Sequence, residues 1–283
     1  MASQNLTPDG HFIPIRDLRF NRDAARHPRW WHGGDPVATA FFNALSCTFP
    51  AGEKFFMDSV RAYRRAVGPE LQAQIAGFVG QEAVHSREHA AFNKLAADSG
   101  YDVEKLEART KRVLDFARTR TKEQQLAATC ALEHFTAILA HELLATGGRD
   151  LAAAPEDAAR LWGWHAVEEI EHKGVAFDTL LAATAHWSSF RRYFLRMRAM
   201  LIATMILTTT MIGNMRDLYR ADGISSLRIW GATFGYLFGR PGLLRRVFPA
   251  YLTYFKPGFH PWQHDDRALL ASAQARLGLG AAA

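Results

Sequence analysis

Two glutamate and histidine pairs, each separated by three positions, constrain the fold of this chain more than any other feature. Glu82 and His85 stand in VGQEAVHSREH, and Glu169 and His172 stand in GWHAVEEIEHKG. On an α-helix, residues three apart lie on the same face, so each pair presents a carboxylate and an imidazole in one direction. One such pair is common on a solvated helix. Two copies in one chain predict a shared buried site.

Each pair is preceded along the chain by a single glutamate. Glu53 lies in FPAGEKFF, 29 residues before Glu82, and Glu133 lies in ATCALEHFTAILAHELL, 36 residues before Glu169. Burying an unpaired carboxylate among the Leu, Ala, Cys and Phe residues around Glu133 would be costly, so this carboxylate needs a partner. The layout is therefore two half-sites of the same kind.

The remaining pattern predicts an all-α protein. From Val37 onward, apolar residues recur at steps of three and four, and no convincing alternating strand is present. Gly and Pro breaks predict four long helices, over 37–66, 70–98, 122–146 and 156–184. A shorter basic helix is predicted over 103–118. Pro50 lies inside the first of these, so the helix should either kink or start afresh there.

Charge is distributed unevenly along the chain. Residues 1–186 carry a net charge of −3, whereas residues 187–283 carry +9, with 13 Lys/Arg against 4 Asp/Glu. No acidic residue occurs between Gly223 and His264, and this stretch is rich in aromatic residues. The combination suits an anionic lipid surface or an amphiphilic acid better than nucleic acid. We therefore expect no nucleic-acid partner, and weigh a peripheral membrane contact through 187–262 against a basic outer face of an ordinary domain.

The expected location is cytoplasmic, with peripheral membrane association as the variant. The N-terminus lacks the apolar stretch of a secretory signal.

Cys47 and Cys130 stand in no C-x-x-C pair, which favours two buried free thiols. The uncharged run of 17 residues between Arg198 and Arg216 is shorter than the roughly 20 residues that a membrane span needs. It favours a buried helix, with a helix that touches the membrane as the rival.

One architecture accommodates all of these acidic and histidine residues. In a ferritin-like four-helix bundle, one inward Glu from each of two helices and a Glu-x-x-His from each of the other two form a carboxylate-bridged dimetal centre. Four carboxylates balance the charge of two divalent cations, and two neutral imidazoles complete the set. Oxygen and imidazole ligands favour iron, with manganese and zinc as alternatives. The expected metal ligands are Glu53, Glu82, His85, Glu133, Glu169 and His172.

Four further polar residues lie on or beside the ligand faces. Glu168 is a candidate to hydrogen-bond a ligand imidazole, or else a surface residue. His89 and His165 are candidates for extra ligands, for catalytic proton carriers, or for core histidines, and the complete set of six ligands favours the last two roles. Glu171 is expected to face away from the site.

The sequence resembles a bacterial family described as predicted metal-dependent hydrolases, which are similar to ferritin-like dimetal proteins. The segments NALSCTFPAGEKFF, FVGQEAVHSREH, WGWHAVEEIEHKGVAFD and PGFHPW carry the resemblance between residues 43 and 262. It implies ligand roles for the same six residues and metal-dependent chemistry. Related di-iron enzymes often carry an acidic-Glu-x-Arg-His segment, in which Glu171 here replaces the arginine, so the surroundings of the site should differ.

The ligand set, rich in carboxylates and poor in histidine, resembles that of oxygenases and desaturases. We therefore expect an O2-dependent di-iron oxidoreductase, such as a monooxygenase, that acts on a small apolar, amphiphilic or lipid-like substrate with an electron donor as partner. A metal-dependent hydrolase is the alternative, and a metal-storage protein without turnover is a third hypothesis.

The expected organisation is a single domain built from three segments. Residues 1–36 hold four of the eleven prolines and predict an extended arm. Residues 37–186 should form the four-helix dimetal bundle. Residues 187–283 should form a basic, aromatic-rich helical extension that packs on the bundle.

Overall fold

The computed structural model describes residues 6–20 and 27–280, and over these ranges the chain is helical and contains no strand. The prediction of an all-α protein is confirmed. Positions 1–5 and 21–26 of the predicted arm, and residues 281–283 of the predicted extension, lie outside the described residues.

The described chain forms eleven α-helices. They are α1 (Pro36–Ser46), α2 (Phe49–Arg61), α3 (Pro69–Asp98), α4 (Val103–Arg118), α5 (Lys122–Ala145), α6 (Glu156–His172), α7 (Val175–Ala183), α8 (Ser189–Ala221), α9 (Leu227–Phe234), α10 (Leu243–Thr253) and α11 (Arg267–Leu277). The predicted helices over 70–98, 103–118 and 122–146 correspond to α3, α4 and α5. The starts of these helices agree with the prediction because Pro69, Asp102 and Thr121 are local signals for the beginning of a helix.

Two predicted helices are each divided in the structure. The predicted helix over 37–66 is α1 followed by α2, and Pro50 lies in the first turn of α2, where its missing N–H costs nothing. The predicted helix over 156–184 is α6 followed by α7, with the break at Gly174. A Cβ atom at Gly174 would lie 2.7 Å from Thr7 Oγ1 and 2.9 Å from the Trp262 ring, so the break occurs where two distant segments approach the backbone.

Four helices surround the acidic and histidine residues. Helix α2 packs against α3 and α5, and α6 packs against the same two helices, which closes a ring of neighbours. The buried apolar side chains form two clusters, one around Trp31, Phe42 and Trp162 and the other around Phe55, Phe78 and Leu126. The ring of four helices therefore holds the polar residues inside an otherwise apolar protein.

The described part of the arm, residues 6–20, lies against α3 without regular structure. A Cβ atom at Gly77 would lie 2.6 Å from the backbone oxygen of Ile13, and one at Gly80 would lie 2.2 Å from Ile15 Cδ1. Two glycines on one helix face thus allow the arm to approach closely. This approach places Arg16 beside α6.

Helix α8 is long and apolar enough to cross a membrane by length and composition alone, and only 28% of its most apolar window is buried inside the protein. Met200 and Ala203 face the protein, whereas Leu201, Met205 and Ile212 are exposed. The prediction that this run is a buried helix is therefore wrong for the outer face, because α8 packs against the rest of the protein along one side only.

Candidate metal centre

The six residues predicted as metal ligands come together between the four helices. Each is at most 3% exposed. Helix α2 supplies Glu53 and α5 supplies Glu133. Helix α3 supplies Glu82 and His85, and α6 supplies Glu169 and His172. Their spacing on the helices puts all six side chains on inward faces, as the two half-sites require.

Two imidazoles share the same carboxylates. His172 Nε2 lies 3.3 Å from Glu82, 3.5 Å from Glu133 and 3.4 Å from Glu169. His85 Nδ1 lies 3.9 Å from Glu82 and 3.8 Å from Glu169. Three groups of ligand atoms, each within 4.8 Å of one another, could hold a metal ion: Glu82, Glu133 and His172; Glu82, His85 and Glu169; and Glu53, His85 and His165. The groups overlap, so they form one centre.

Many of the atoms in this centre have no hydrogen-bond partner. They are both carboxylate oxygens of Glu53 and Glu82, Oε1 of Glu133, Oε2 of Glu169, Nδ1 of His85, and Nε2 of His165 and His172. Each unsatisfied buried polar group costs about 1–3 kcal/mol, and more if it is charged. Carboxylate oxygens and imidazole nitrogens together suit a divalent transition metal. The residues present therefore fit a bound metal, which would satisfy all of these atoms.

A hydrogen bond with Gln81 of α3 determines which nitrogen of the His172 imidazole faces the carboxylates. Gln81 donates its amide N–H groups to Pro14 O and Glu171 Oε2, so its carbonyl oxygen is an acceptor. His172 Nδ1 donates to that oxygen at 2.9 Å. In its neutral form the ring carries its lone pair on Nε2, which is the atom that faces the carboxylates. Burial works to lower the pKa of His172, but Glu169 and Glu82 raise it, so a cation would displace a proton from this nitrogen.

His85 is held in the same manner, with the ring reversed. Its Nε2 donates to Glu168 at 3.0 Å, so the neutral ring would carry its lone pair on the inward Nδ1. Burial works to lower the pKa of His85, but Glu168 and Glu82 raise it well above the ordinary value, so a cation would displace a proton here too. Glu168 is fully buried and also accepts a hydrogen bond from Arg16 at 2.9 Å. The structure therefore places Glu168 beside a predicted ligand imidazole, where it orients the ring.

A chain of hydrogen bonds determines the tautomer of His165. Ser46 Oγ donates to Asn93 Oδ1 at 2.6 Å and so accepts from His89 Nδ1 at 2.9 Å. His89 Nε2 must then accept from His165 Nδ1, at 2.8 Å, which leaves a lone pair on His165 Nε2. That nitrogen lies 2.9 Å from Glu169 Oε1 without hydrogen-bond alignment.

The pKa values of both additional histidines are lowered, which favours their neutral forms. Burial lowers the pKa of His89, and the charges of His165 and His85 lower it further. Burial and the charge of His85 also lower the pKa of His165. The structure thus brings His165 into contact with the centre and places His89 behind it, in contact with His165.

Arg16, Gln81 and Ser46 were not identified from the sequence, and the position of Glu171 was predicted incorrectly. Glu171 does not face away: it is 2% exposed and accepts from Arg16 Nη1 and Nη2 at 2.8 and 2.7 Å. Burial works to lower the pKa of Arg16, but the hydrogen bonds and charges of Glu171 and Glu168 raise it. The arm supplies the cation that allows this face of α6 to be buried.

The electrostatics of the centre reflect its excess of carboxylates. Burial, followed by the charge of Glu82, raises the pKa of both Glu53 and Glu133 well above the ordinary value. Burial also works to raise the pKa of Glu169, but His172 and His165 hold it well below the ordinary value. In the absence of a cation the cluster therefore retains protons on some carboxylates, and metal binding would release them.

A separate group nearer the surface also has metal-ligating residue types. His141, His264 and Asp266 have ligand atoms within 4.8 Å of one another. Asp266 already accepts from Lys173 Nζ at 2.5 Å and from His141 at 2.8 Å. Because its carboxylate is paired with a buried ammonium group, this cluster is an ion-pair network.

A helical fold around four buried carboxylates and three imidazoles, whose inward nitrogens lack hydrogen-bond partners, is typical of a metal-dependent protein. The chain belongs to the family described as predicted metal-dependent hydrolases, whose family model matches residues 14–265. The resemblance stated from sequence is confirmed at this level. Comparison with curated proteins and with solved structures gives no match.

The prediction of an O2-dependent di-iron oxidoreductase is wrong. The family description names hydrolysis, which was the alternative. The physical reason for the error is that donor type does not select a reaction: carboxylate and imidazole ligands hold metals that act as Lewis acids as well as metals that react with oxygen. The electron donor and the monooxygenase activity were expected only for an oxidoreductase, so neither is proposed for a hydrolase.

Proposed function

We propose that this protein is a hydrolase with a two-metal centre inside a ferritin-like bundle formed by α2, α3, α5 and α6. The proposed ligands are Glu53, Glu82, His85, Glu133, Glu169 and His172, with His165 as a seventh. The observation that carries the proposal is that three imidazoles, each hydrogen-bonded through its outer nitrogen, turn the other nitrogen toward the same buried carboxylates, where these inward nitrogens and many of the carboxylate oxygens have no hydrogen-bond partner.

Charge balance supports two cations in this centre. Four carboxylates contribute four negative charges, which two divalent ions neutralise. Glu82 and Glu169 each lie near both His85 and His172, so these two carboxylates would hold the cations together with both imidazoles. Manganese, zinc and iron all suit the donor set.

The residues of the chain would hold this centre rigidly. When bound, divalent cations polarise the bond to be cleaved and lower the pKa of a coordinated water. Gln81, Glu168 and His89 each fix the orientation of one ligand imidazole. Aromatic rings exclude water from the same imidazoles: Phe78 lies 4.9 Å from His172, Trp164 lies 4.8 Å from His85, and Phe49 lies 4.7 Å from His165.

The three segments 1–36, 37–186 and 187–283 are proposed to act as one domain. Arg16 in the first segment and Gln274 in the third both donate to Glu171 in the second, each at 2.7 Å. A single buried carboxylate thus connects the arm, the bundle and the extension.

The proposal is tested by metal content and by hydrolysis under nitrogen. The metal-free chain is loaded with manganese, zinc or ferrous iron and assayed with p-nitrophenyl esters in an anaerobic chamber. We expect two equivalents of metal and turnover without dioxygen. Glu133→Gln and Glu169→Gln should lose metal and activity together, whereas Glu104→Gln, on the exposed face of α4, should change neither.

Two results would contradict this function. If Glu169→Gln retains two equivalents of metal, the ligand assignment is wrong. If the fully loaded protein hydrolyses no ester, amide or phosphoester with any of the three metals, the reaction class is wrong even though the centre exists.

A further inference from the structure

An apolar cavity of about 120 Å³ opens beside the candidate metal centre. Its walls come from α1, α2, α4, α5, α6, α8 and α10, and they consist mostly of Phe, Leu, Ile, Val and Ala side chains. Within residues 6–20 and 27–280, Glu169 and His165 are its only ionisable lining residues, and both belong to the metal centre. The cavity therefore has one polar end and otherwise apolar walls.

The size and lining of the cavity indicate what it would hold. Apolar cavities stay dry and bind apolar molecules, and one of about 150 Å³ accommodates benzene. This cavity is somewhat smaller but partly open, so it holds a group of at most about six carbon atoms. A molecule that fills it would place whatever polar group it carries next to Glu169 and His165.

We propose that this cavity binds the acyl chain of a carboxylic ester, about six carbons long, and so selects the substrate. The inference rests on the proposed hydrolase function. In the reaction, the acyl C–O bond breaks and a C–O bond from water forms; one hydrogen of that water passes to the alcohol and the other remains with the carboxylic acid. The reaction needs no oxidant or reductant.

The first test measures chain-length preference with p-nitrophenyl esters from acetate to decanoate. We expect kcat/KM to rise by about fourfold for each added methylene group that is buried and to peak near hexanoate. Leu143→Ala enlarges the cavity and should move the peak to longer esters. Leu126→Ala is the matched control, because Leu126 is a buried leucine of the same helix that does not line the cavity.

The second test measures binding without turnover. Fluorobenzene is titrated into the zinc-loaded protein and followed by fluorine NMR. The wild type should bind it, Ala140→Leu should abolish binding by filling the cavity, and Ala131→Leu, a buried control on the same helix outside the lining, should retain it.

The outcomes separate the two proposals. Ester hydrolysis without chain-length preference and without fluorobenzene binding would overturn the cavity assignment and leave the hydrolase function standing. Fluorobenzene binding that only Ala140→Leu abolishes, in a protein that cleaves no ester, amide or phosphoester, would overturn the hydrolase function and support the cavity as a site for apolar groups. If Ala140→Leu does not fold, the comparison of Leu143→Ala with Leu126→Ala decides the inference.

A second inference comes from the outer face of α8. Phe190, Phe194, Leu201, Met205 and Ile212 are all exposed, by 49–71%. Their spacing of four and seven residues puts them on one stripe of the helix, about 33 Å long at 1.5 Å per residue. We define these five residues as the α8 stripe. Burying it requires a partner with an apolar interior.

Charge identifies the partner of the α8 stripe. Arg191, Arg198 and Arg216 are exposed on the same helix, and its one acidic residue, Asp217, is paired with Arg109 at 2.6 Å. Helix α10 lies alongside, with Tyr251 Oη 3.0 Å from Thr204, and it belongs to the stretch that contains no acidic residue. A second copy of this basic surface would be repelled.

We infer that the α8 stripe lies on an anionic lipid surface. Apolar side chains would enter the headgroup region while the flanking arginines meet lipid charge. The same helix contributes Ile206 and Leu207 to the lining of the cavity, so α8 would stand between the lipid surface and the cavity.

The test is co-sedimentation of the metal-loaded protein with vesicles of phosphatidylcholine, with and without phosphatidylglycerol. We expect binding to the anionic vesicles that weakens as salt is added. Replacing Phe190, Leu201 and Met205 by serine together should weaken it by at least about tenfold. Phe116→Ser is the control, because Phe116 is an exposed phenylalanine of α4.

Two outcomes would overturn the assignment. One is that anionic vesicles bind the wild type no better than neutral vesicles. The other is that the wild type forms a dimer in sedimentation velocity that the triple serine variant does not, which would identify a second copy as the partner.

Discussion

Arg16 joins the N-terminal arm to α6, and its replacement by methionine tests how the surroundings of the centre are held. The guanidinium is 7% exposed and donates to Glu168 at 2.9 Å and to Glu171 at 2.8 and 2.7 Å. Methionine has a similar length and no charge. We expect Arg16→Met to reduce both the free energy of unfolding and the affinity for metal.

The magnitude follows from the burial of the two carboxylates. Glu168 and Glu171 are at most 2% exposed, so neither can exchange the guanidinium for water. Removing one partner of a buried ion pair costs about 3–5 kcal/mol. At roughly 2–4 °C per kcal/mol for a chain of this size, the melting temperature should fall by roughly 6–20 °C. Because Glu168 orients His85, metal affinity should fall by about 10–100-fold.

The measurement is thermal unfolding by circular dichroism, combined with zinc titration by calorimetry. Arg19→Met is the matched control, because Arg19 is an exposed arginine of the same arm. Arg16→Lys keeps the charge, loses the two-pronged contact with Glu171, and should fall between the wild type and Arg16→Met. If Arg16→Met lies within about 1 kcal/mol of Arg19→Met and binds zinc normally, the ion pair does not hold the arm and the reasoning is refuted.

Gln81→Leu removes the acceptor that fixes the tautomer of His172, and calorimetry should show metal affinity about 10–100-fold lower. Chelation should lower the melting temperature, and the loss should grow as pH rises above 4.5, the ordinary glutamate pKa. The pKa values of Glu53 and Glu133 are raised in the metal-free fold, so the stability linked to their protonated forms is lost as pH rises through those values. Gly77→Ala would put a Cβ atom 2.6 Å from Ile13 O, and urea denaturation should show a loss of about 1–3 kcal/mol.

Each of these three predictions has its own control or contradicting result. Gln72→Leu changes a glutamine near the start of α3 and should leave metal affinity unchanged. Gly231→Ala places a methyl group in open space within α9, and should be neutral or slightly stabilising. A metal-free protein that melts higher at about pH 8 than at about pH 6 would contradict the raised carboxylate pKa values.

The residues that come together in the centre could be named from the sequence because their signal is local. Three-residue spacing places Glu82 with His85, and Glu169 with His172, on one helix face whatever the rest of the chain does. The apolar setting of Glu133 is equally visible in the sequence. The same logic failed at Glu171, because a glutamate on the far side of an amphipathic helix is normally exposed, and here Arg16 covers it from 155 residues away.

The environment of the histidines shows the limit of local patterns more clearly. His165 and His89 were open to three interpretations, since spacing says only that they share a face with the ligands. Their tautomers depend on Ser46 and Asn93, which lie on different helices, and on the direction of one serine hydroxyl. No periodicity in the sequence contains that information.

By itself the sequence determined the helical class, the ends of α3, α4 and α5, and which carboxylates and imidazoles meet, because helix propensity, capping and periodicity act over a few residues. Only the tertiary structure decided where α6 ends, which side of α8 is exposed, how the arm neutralises Glu171, and that an apolar cavity adjoins Glu169. Each of these depends on contacts between segments distant in the chain, and such contacts leave no local pattern. The apolar run in α8 shows the difference: its composition could be read directly, but which of its side chains reach solvent depended on how the helix packs.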